Sequence, residues 1–98
     1  MDAVILLTLT PHPGRLDDLV ALLAHQLPQT REYPGCRTIT ATVDTRAEPP
    51  TVVVVEQWDS VQAHRTYVRW RSDQGHLDEL LALLAQPPSL RTLDVLSV

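Results

Sequence analysis

Between Thr51 and Trp58 the chain reads Thr-Val-Val-Val-Val-Glu-Gln-Trp. A strand sends alternate side chains to opposite faces, so Val53, Val55 and Gln57 share one side and Val52, Val54, Glu56 and Trp58 the other. Both sides are too apolar to stand in water, and the segment therefore demands cover on two faces. With 98 residues there is material for one domain, residues 1–98, which buries roughly two-thirds of its unfolded surface. Its own helices can cover one face of a sheet. The other face calls for a second copy of the chain.

The remaining segments fall into place around this strand. Ala3 to Thr10 is an apolar, β-branch-rich run stopped by Pro11-His12-Pro13-Gly14, which favours a strand. Leu16, Leu19, Val20, Leu23 and Leu27 then make one stripe of an amphipathic helix, with Asp17 and Asp18 in its first turn and Pro28 as its expected end. After the Tyr33-Pro34-Gly35 turn, Cys36 to Asp44 alternates, with Arg37, Ile39, Ala41 and Val43 on one face and threonines mostly on the other. Asp59 or Ser60 can cap a short helix to about Trp70, and Ser72 and Asp73 a longer one carrying Leu77, Leu80, Leu81 and Leu84. Pro87-Pro88 stops that helix, and Leu90 to Val98 reads as a last strand.

Strand, helix, strand, strand, helix pair, strand is the order of an α+β, ferredoxin-like βαββαβ domain, a four-stranded antiparallel sheet with its helices on one face. The nine residues from Leu16 and the nine from Leu77 agree at seven positions, an echo that suits the two halves of such a fold and is also what two helices rich in Leu and Ala share by composition. The uncovered sheet face then predicts a homodimer.

Composition removes several function classes. A formal charge of −4 with eight dispersed aspartates gives no basic stripe for phosphates, so nucleic acid is excluded as a partner. The eight basic residues are all Arg, and without Lys there is no Schiff-base chemistry. One cysteine, Cys36, cannot form an internal disulfide. No charged stretch precedes a long apolar run, and none approaches a membrane span; a cytoplasmic protein is expected. His12, His25, His64 and His76 lack metal-ligand spacing, three glycines make no phosphate loop, and Ser60 and Ser72 read as caps. Neither metal nor cofactor is expected.

The candidate chemistry lies between residues 56 and 76. Glu56 and Trp58 share a strand face, and if that face meets the helices they line a pocket floor, the Trp to stack on an aromatic ring and the Glu, with a raised pKa, to act as a base. His64 and Tyr67 can share a helix face, and an imidazole suits removal of a phenolic or enolic proton at neutral pH. Trp70, Arg71 and His76 sit at the helix junction, a natural pocket mouth, where Arg71 can meet an anionic substrate or Asp73. Each has a plainer role in packing or surface structure.

The run Tyr33-Pro-Gly-Cys-Arg37, then Glu56-Gln-Trp58-Asp-Ser-Val-Gln-Ala-His64-Arg-Thr-Tyr67, then Trp70-Arg-Ser-Asp-Gln-Gly75 with Pro87-Pro88, resembles the antibiotic biosynthesis monooxygenase (ABM) family along essentially the whole chain. The resemblance implies a dimeric α+β barrel with a pocket in each subunit between sheet and helices. Among the family's activities it implies cofactor-independent oxidation by O₂ of an aromatic or phenolic small molecule, such as a quinol, an anthrone or a polyketide. His64 or Glu56 would be the catalytic base, and Trp58, Tyr67, Trp70, Arg71 and His76 the substrate wall. A cofactor-free cyclase or isomerase, or a non-catalytic ligand-binding dimer, are the alternatives. Two departures stand out. The anthrone-oxidising members carry an amide four residues before the strand-three Trp, where this chain has Val54. The haem-degrading branch needs an Asn that is absent here, with Tyr67 standing about where that branch has its Trp.

Overall fold

The computed structural model describes residues 1–98. Its elements run β1 (Ala3–Leu9), α1 (Leu16–Glu32), β2 (Cys36–Asp44), β3 (Thr51–Trp58), α2 (Val61–Asp73), α3 (His76–Ala82) and β4 (Ser89–Asp94). The four strands form one sheet in the order β2-β3-β1-β4, every neighbouring pair antiparallel. This is the ferredoxin-like βαββαβ arrangement that the order of periodicities predicts.

The period-2 pattern decides what each face does. Ala3, Ile5 and Leu9 of β1, Val52, Val54, Glu56 and Trp58 of β3 and Ile39 of β2 are buried on the helix side. Leu19, Leu23 and Leu27 of α1 and Leu80 of α3 meet them, joined by Leu83 and Leu84 after α3. Leu80 and Leu84 occupy the places in the echoed nine-residue stretch that Leu19 and Leu23 hold in α1, so both copies of the echo feed one core. On the opposite face the register sets Leu6 beside Val55, Thr8 beside Val53 and Val4 beside Leu93. Val55 and Leu93 are more than a third exposed there, so the apolar outer face is real in the single chain.

Three boundaries differ from the sequence expectation. Pro28 lies inside α1, which continues to Glu32. Proline removes one backbone donor and crowds the preceding turn, but the turn beyond it is held by tertiary contacts: Thr30 is fully buried and its hydroxyl meets the Tyr67 hydroxyl at 2.7 Å. The second helix runs through Ser72 to Asp73, so those residues end α2 and do not cap α3; Gly75, at φ 77°, makes the break, and α3 is the shorter of the two. The last strand ends at Asp94, short of Val98. The expected cap at Ser60 is present, its Oγ accepting from the Ala63 amide at 3.1 Å.

Gly35 fixes the site's frame. It sits at φ 93°, where L side chains are strained, and a Cβ there would lie 2.6 Å from the Ala63 Cβ. Its carbonyl accepts from the Asp59 amide at 2.8 Å, tying the start of β2 to the end of β3 beneath the first turn of α2.

Candidate functional site

A cavity of about 310 Å³ opens between the sheet and the helices, large enough for a small organic molecule. Most of its wall is aliphatic, from Leu7, Leu23, Leu27, Val54, Leu77 and Leu90 among others; the polar or titratable side chains on it are Gln26, Glu56, His64, Tyr67 and Arg71. A second hollow of about 440 Å³ lies between α1 and β2, but Arg31 is its only charged group and it holds no acid–base pair. The chemistry belongs to the smaller one.

Glu56 is placed by the strand alternation and is only 3% exposed. The Trp58 indole donates to its Oε1 at 3.0 Å, as residues two apart on one strand face can. Burial pushes the Glu56 carboxyl up to about 7, with the Trp58 hydrogen bond pulling weakly the other way. His64, one turn into α2, brings Nε2 to 3.9 Å from the same Oε1. Burial lowers the pKa of that imidazole. Both groups are thus driven toward their neutral forms, which disfavours an ion pair between them and leaves the carboxyl shared between acid and carboxylate near neutral pH. The hydrogen bonds of Glu56 engage Oε1 alone, leaving Oε2 free for a ligand.

Arg71, 2% exposed, closes the other side. Nε donates to the Tyr67 hydroxyl at 2.8 Å, Nη1 to Gln29 Oε1 at 2.8 Å and to His76 Nδ1 at 2.9 Å, and Nη2 to the Gln26 carbonyl at 2.7 Å and Thr30 Oγ1 at 2.9 Å. All five N–H donors are used, every acceptor is neutral, and Asp73 is not among them. The guanidinium also lies over the Trp70 ring, 4.8 Å from its centroid. A buried cation without a carboxylate leaves the cavity with a positive bias.

Of the seven residues singled out from the sequence, Glu56, His64, Tyr67 and Arg71 meet on the cavity wall. Trp58, Trp70 and His76 lie outside it. Trp58 is fully buried, covered by Tyr67 at 5.0 Å and Tyr33 at 6.4 Å between ring centroids, and supports the cavity from behind through Glu56, Tyr67 and His64. Trp70 stacks against Tyr33 and His76, and His76 braces Arg71. Sequence reasoning missed Gln26, Gln29 and Thr30. Gln26 and Thr30 carry the α1 stripe onward from Leu19 and Leu23 at helical spacing, and polar residues in core positions were the available signal. Burial first, and the Glu56 charge second, raise the Cys36 thiol pKa, against a smaller opposing effect of Arg31, which disfavours the reactive thiolate.

The family model for antibiotic biosynthesis monooxygenase matches residues 3–77. No curated protein matches the sequence. Among solved structures, a Mycobacterium tuberculosis protein, Rv0793, is 24% identical over 100% of this chain and 98% of its own, with a TM-score of 0.77. SnoaB, a cofactor-independent oxygenase from Streptomyces nogalater, is 15% identical over 99% and 95%, with a TM-score of 0.82. A conserved protein from Methanosarcina mazei reaches 0.85 at 12% identity over 95% and 91%. At these identities the likeness establishes the fold.

Proposed function

The chain belongs to the antibiotic biosynthesis monooxygenase family, and from that premise we propose that it is a cofactor-independent oxygenase of an electron-rich aromatic small molecule. The observation that carries the reading is the buried Glu56–His64 pair, 3.9 Å apart on the wall of an otherwise apolar cavity that also presents Arg71. Similarity to SnoaB adds weight at the level of fold.

A carboxyl titrating near 7 is a better base than an ordinary carboxylate and is still ionised in useful amount at neutral pH. Glu56 is therefore assigned as the base, taking a proton from a phenol or from an acidic ring CH₂ onto Oε2. His64, kept neutral by burial, is assigned to hold the substrate or to pass that proton on. The resulting carbanion or phenolate lies in the field of Arg71, which stabilises it without giving up a hydrogen bond. The anion passes one electron to O₂, the substrate radical and superoxide join at carbon, and the peroxide takes up a proton. For a ring CH₂ the hydroperoxide then loses water to leave a ketone. The sum is CH₂ plus O₂ giving C=O plus H₂O, with all four electrons coming from the substrate.

Two chains are proposed to pair through the outer sheet face, where Leu6, Val53, Val55 and Leu93 would be covered. The homodimer would complete the α+β barrel around the two cavities.

An oxygen electrode with anthrone tests the reading. Uptake of one O₂ per anthrone, with anthraquinone formed and the rate proportional to protein, is the expected result. Anthrone and a series of hydroquinones consumed no faster than in buffer would remove oxygenation, and turnover of an enolisable substrate without O₂ would place the same base in an isomerase or cyclase.

A further inference from the structure

Among buried side-chain nitrogens and oxygens one has no hydrogen-bond partner, the Nε2 of Gln26. Gln26 is 8% exposed and lines the cavity, with its Nε2 covered in the ligand-free protein. Its backbone is held firmly, because its carbonyl accepts from Arg71 Nη2 at 2.7 Å and from the Thr30 hydroxyl at 3.4 Å. The side chain is thus anchored at its root and unpartnered at its tip, where a rotation of the terminal amide turns Nε2 toward the cavity. A buried polar group is normally paired, and an orphan calls for a reason.

We infer that Gln26 is a substrate-binding residue, its side-chain amide donating a hydrogen bond to a carbonyl or enolate oxygen of the aromatic ligand. The inference rests on the reading of this cavity as the substrate site and adds to it the substrate's chemistry: the molecule carries an acceptor oxygen that is seated by α1. The Arg71 and Tyr67 donors on the wall are committed. The Arg71 N–H groups all have acceptors in the protein, and the Tyr67 hydroxyl already meets Arg71 and Thr30. Apart from His64, already assigned to the proton transfer, Gln26 is the wall donor with no partner in the protein. A planar ring system would then lie along the Leu23, Leu27 and Val54 surface, its oxygen toward α1.

The test compares tetralone, a fused aryl ketone, with tetralin, which has the same rings and no oxygen, by titration calorimetry on wild-type protein and on Gln26→Met. Methionine keeps the volume and the helix preference while removing both amide atoms. Wild-type protein is expected to bind tetralone at least tenfold more tightly than tetralin, since a site built to donate discriminates against a ligand lacking the acceptor. Gln26→Met is expected to abolish that preference while leaving tetralin affinity unchanged, with a melting temperature equal to or above wild type. Gln26→Leu repeats the measurement should the methionine variant fold poorly. A tetralone preference that survives both substitutions overturns the inference and leaves the cavity reading in place. Wild-type protein that binds neither compound overturns both.

Discussion

Replacing Glu56 by Gln should make the protein inactive and, above neutral pH, more stable. Glu56 is 3% exposed and its carboxyl titrates at about 7, raised from 4.5 chiefly by burial. Between those two values the folded chain holds a proton that the unfolded chain has released. Stability therefore falls as pH rises through that window, and the full penalty is present above 7. A displacement of this size corresponds to about 3 kcal/mol as an upper figure. Glutamine keeps an oxygen to accept from Trp58 Nε1 but introduces an amide that must itself be solvated, so the expected net gain at pH 8 is about 1–3 kcal/mol. For a chain of this size that is roughly 5–15 °C in melting temperature. At pH 4, where the carboxyl is largely protonated in both states, the advantage of the variant should disappear. Turnover of anthrone should drop by about 10²-fold or more, the scale for losing a general base. The wild-type kcat/KM should rise with pH, inflect near 7 and level off above it. Thermal melts at the two pH values and oxygen uptake across pH supply the readout. A variant less stable than wild type at pH 8, or one with undiminished turnover, would refute the assignment.

Other perturbations separate the remaining parts. His64→Ala should keep the inflection near 7 and lose less activity than Glu56→Gln; if it loses the inflection and Glu56→Gln does not, the imidazole is the base. Arg71→Lys should destabilise by about 2–4 kcal/mol in urea unfolding, because an ammonium offers three donors where five acceptors wait. Val55→Arg should convert a dimer to a monomer of 11.0 kDa in light scattering without unfolding it, since Val55 faces away from the helices; a wild-type protein of that same mass would discard the sheet-to-sheet dimer.

The fold was legible because periodicity is a local property. Four valines in succession demanded a doubly covered strand, and the change from period 2 to 3.6 at Arg15 marked the first helix. What failed was also local. Pro28 reads as a stop, yet the turn after it is retained by Thr30, whose partners lie 37 and 41 residues further on in Tyr67 and Arg71. Shared strand faces put Glu56 and Trp58 together correctly, but depth is not encoded in alternation. Trp58 lies beneath Tyr33 and Tyr67 and Glu56 does not, so one became a buried support and the other a wall of the cavity. The Arg71 network joins α2 to α1 across 41 to 45 residues, and no pattern of spacing announces a contact of that kind.

Three unfavourable placements of polar groups occur in this small domain, and they share one cavity: a carboxyl shifted by burial, an amide nitrogen without a partner and a guanidinium without a carboxylate. A domain of this kind stands only about 5–15 kcal/mol above its unfolded state, and aliphatic side chains at positions 26 and 56 would serve packing better. Carboxylates elsewhere are handled in the ordinary way, Asp18 with Arg15 and Asp59 with Arg37, on the surface, where ion pairs contribute little and constrain little. Packing alone gives no reason for all three departures to converge. A ligand does: one that offers an oxygen to Gln26, a proton to Glu56 and, once that proton has left, a negative charge to Arg71. Each group then gains in the complex what it lacks in the empty protein, and the gain at Arg71 arises only after ionisation. That sequence of gains favours the anion over the neutral substrate, which is the differential stabilisation that a proton-abstracting site requires.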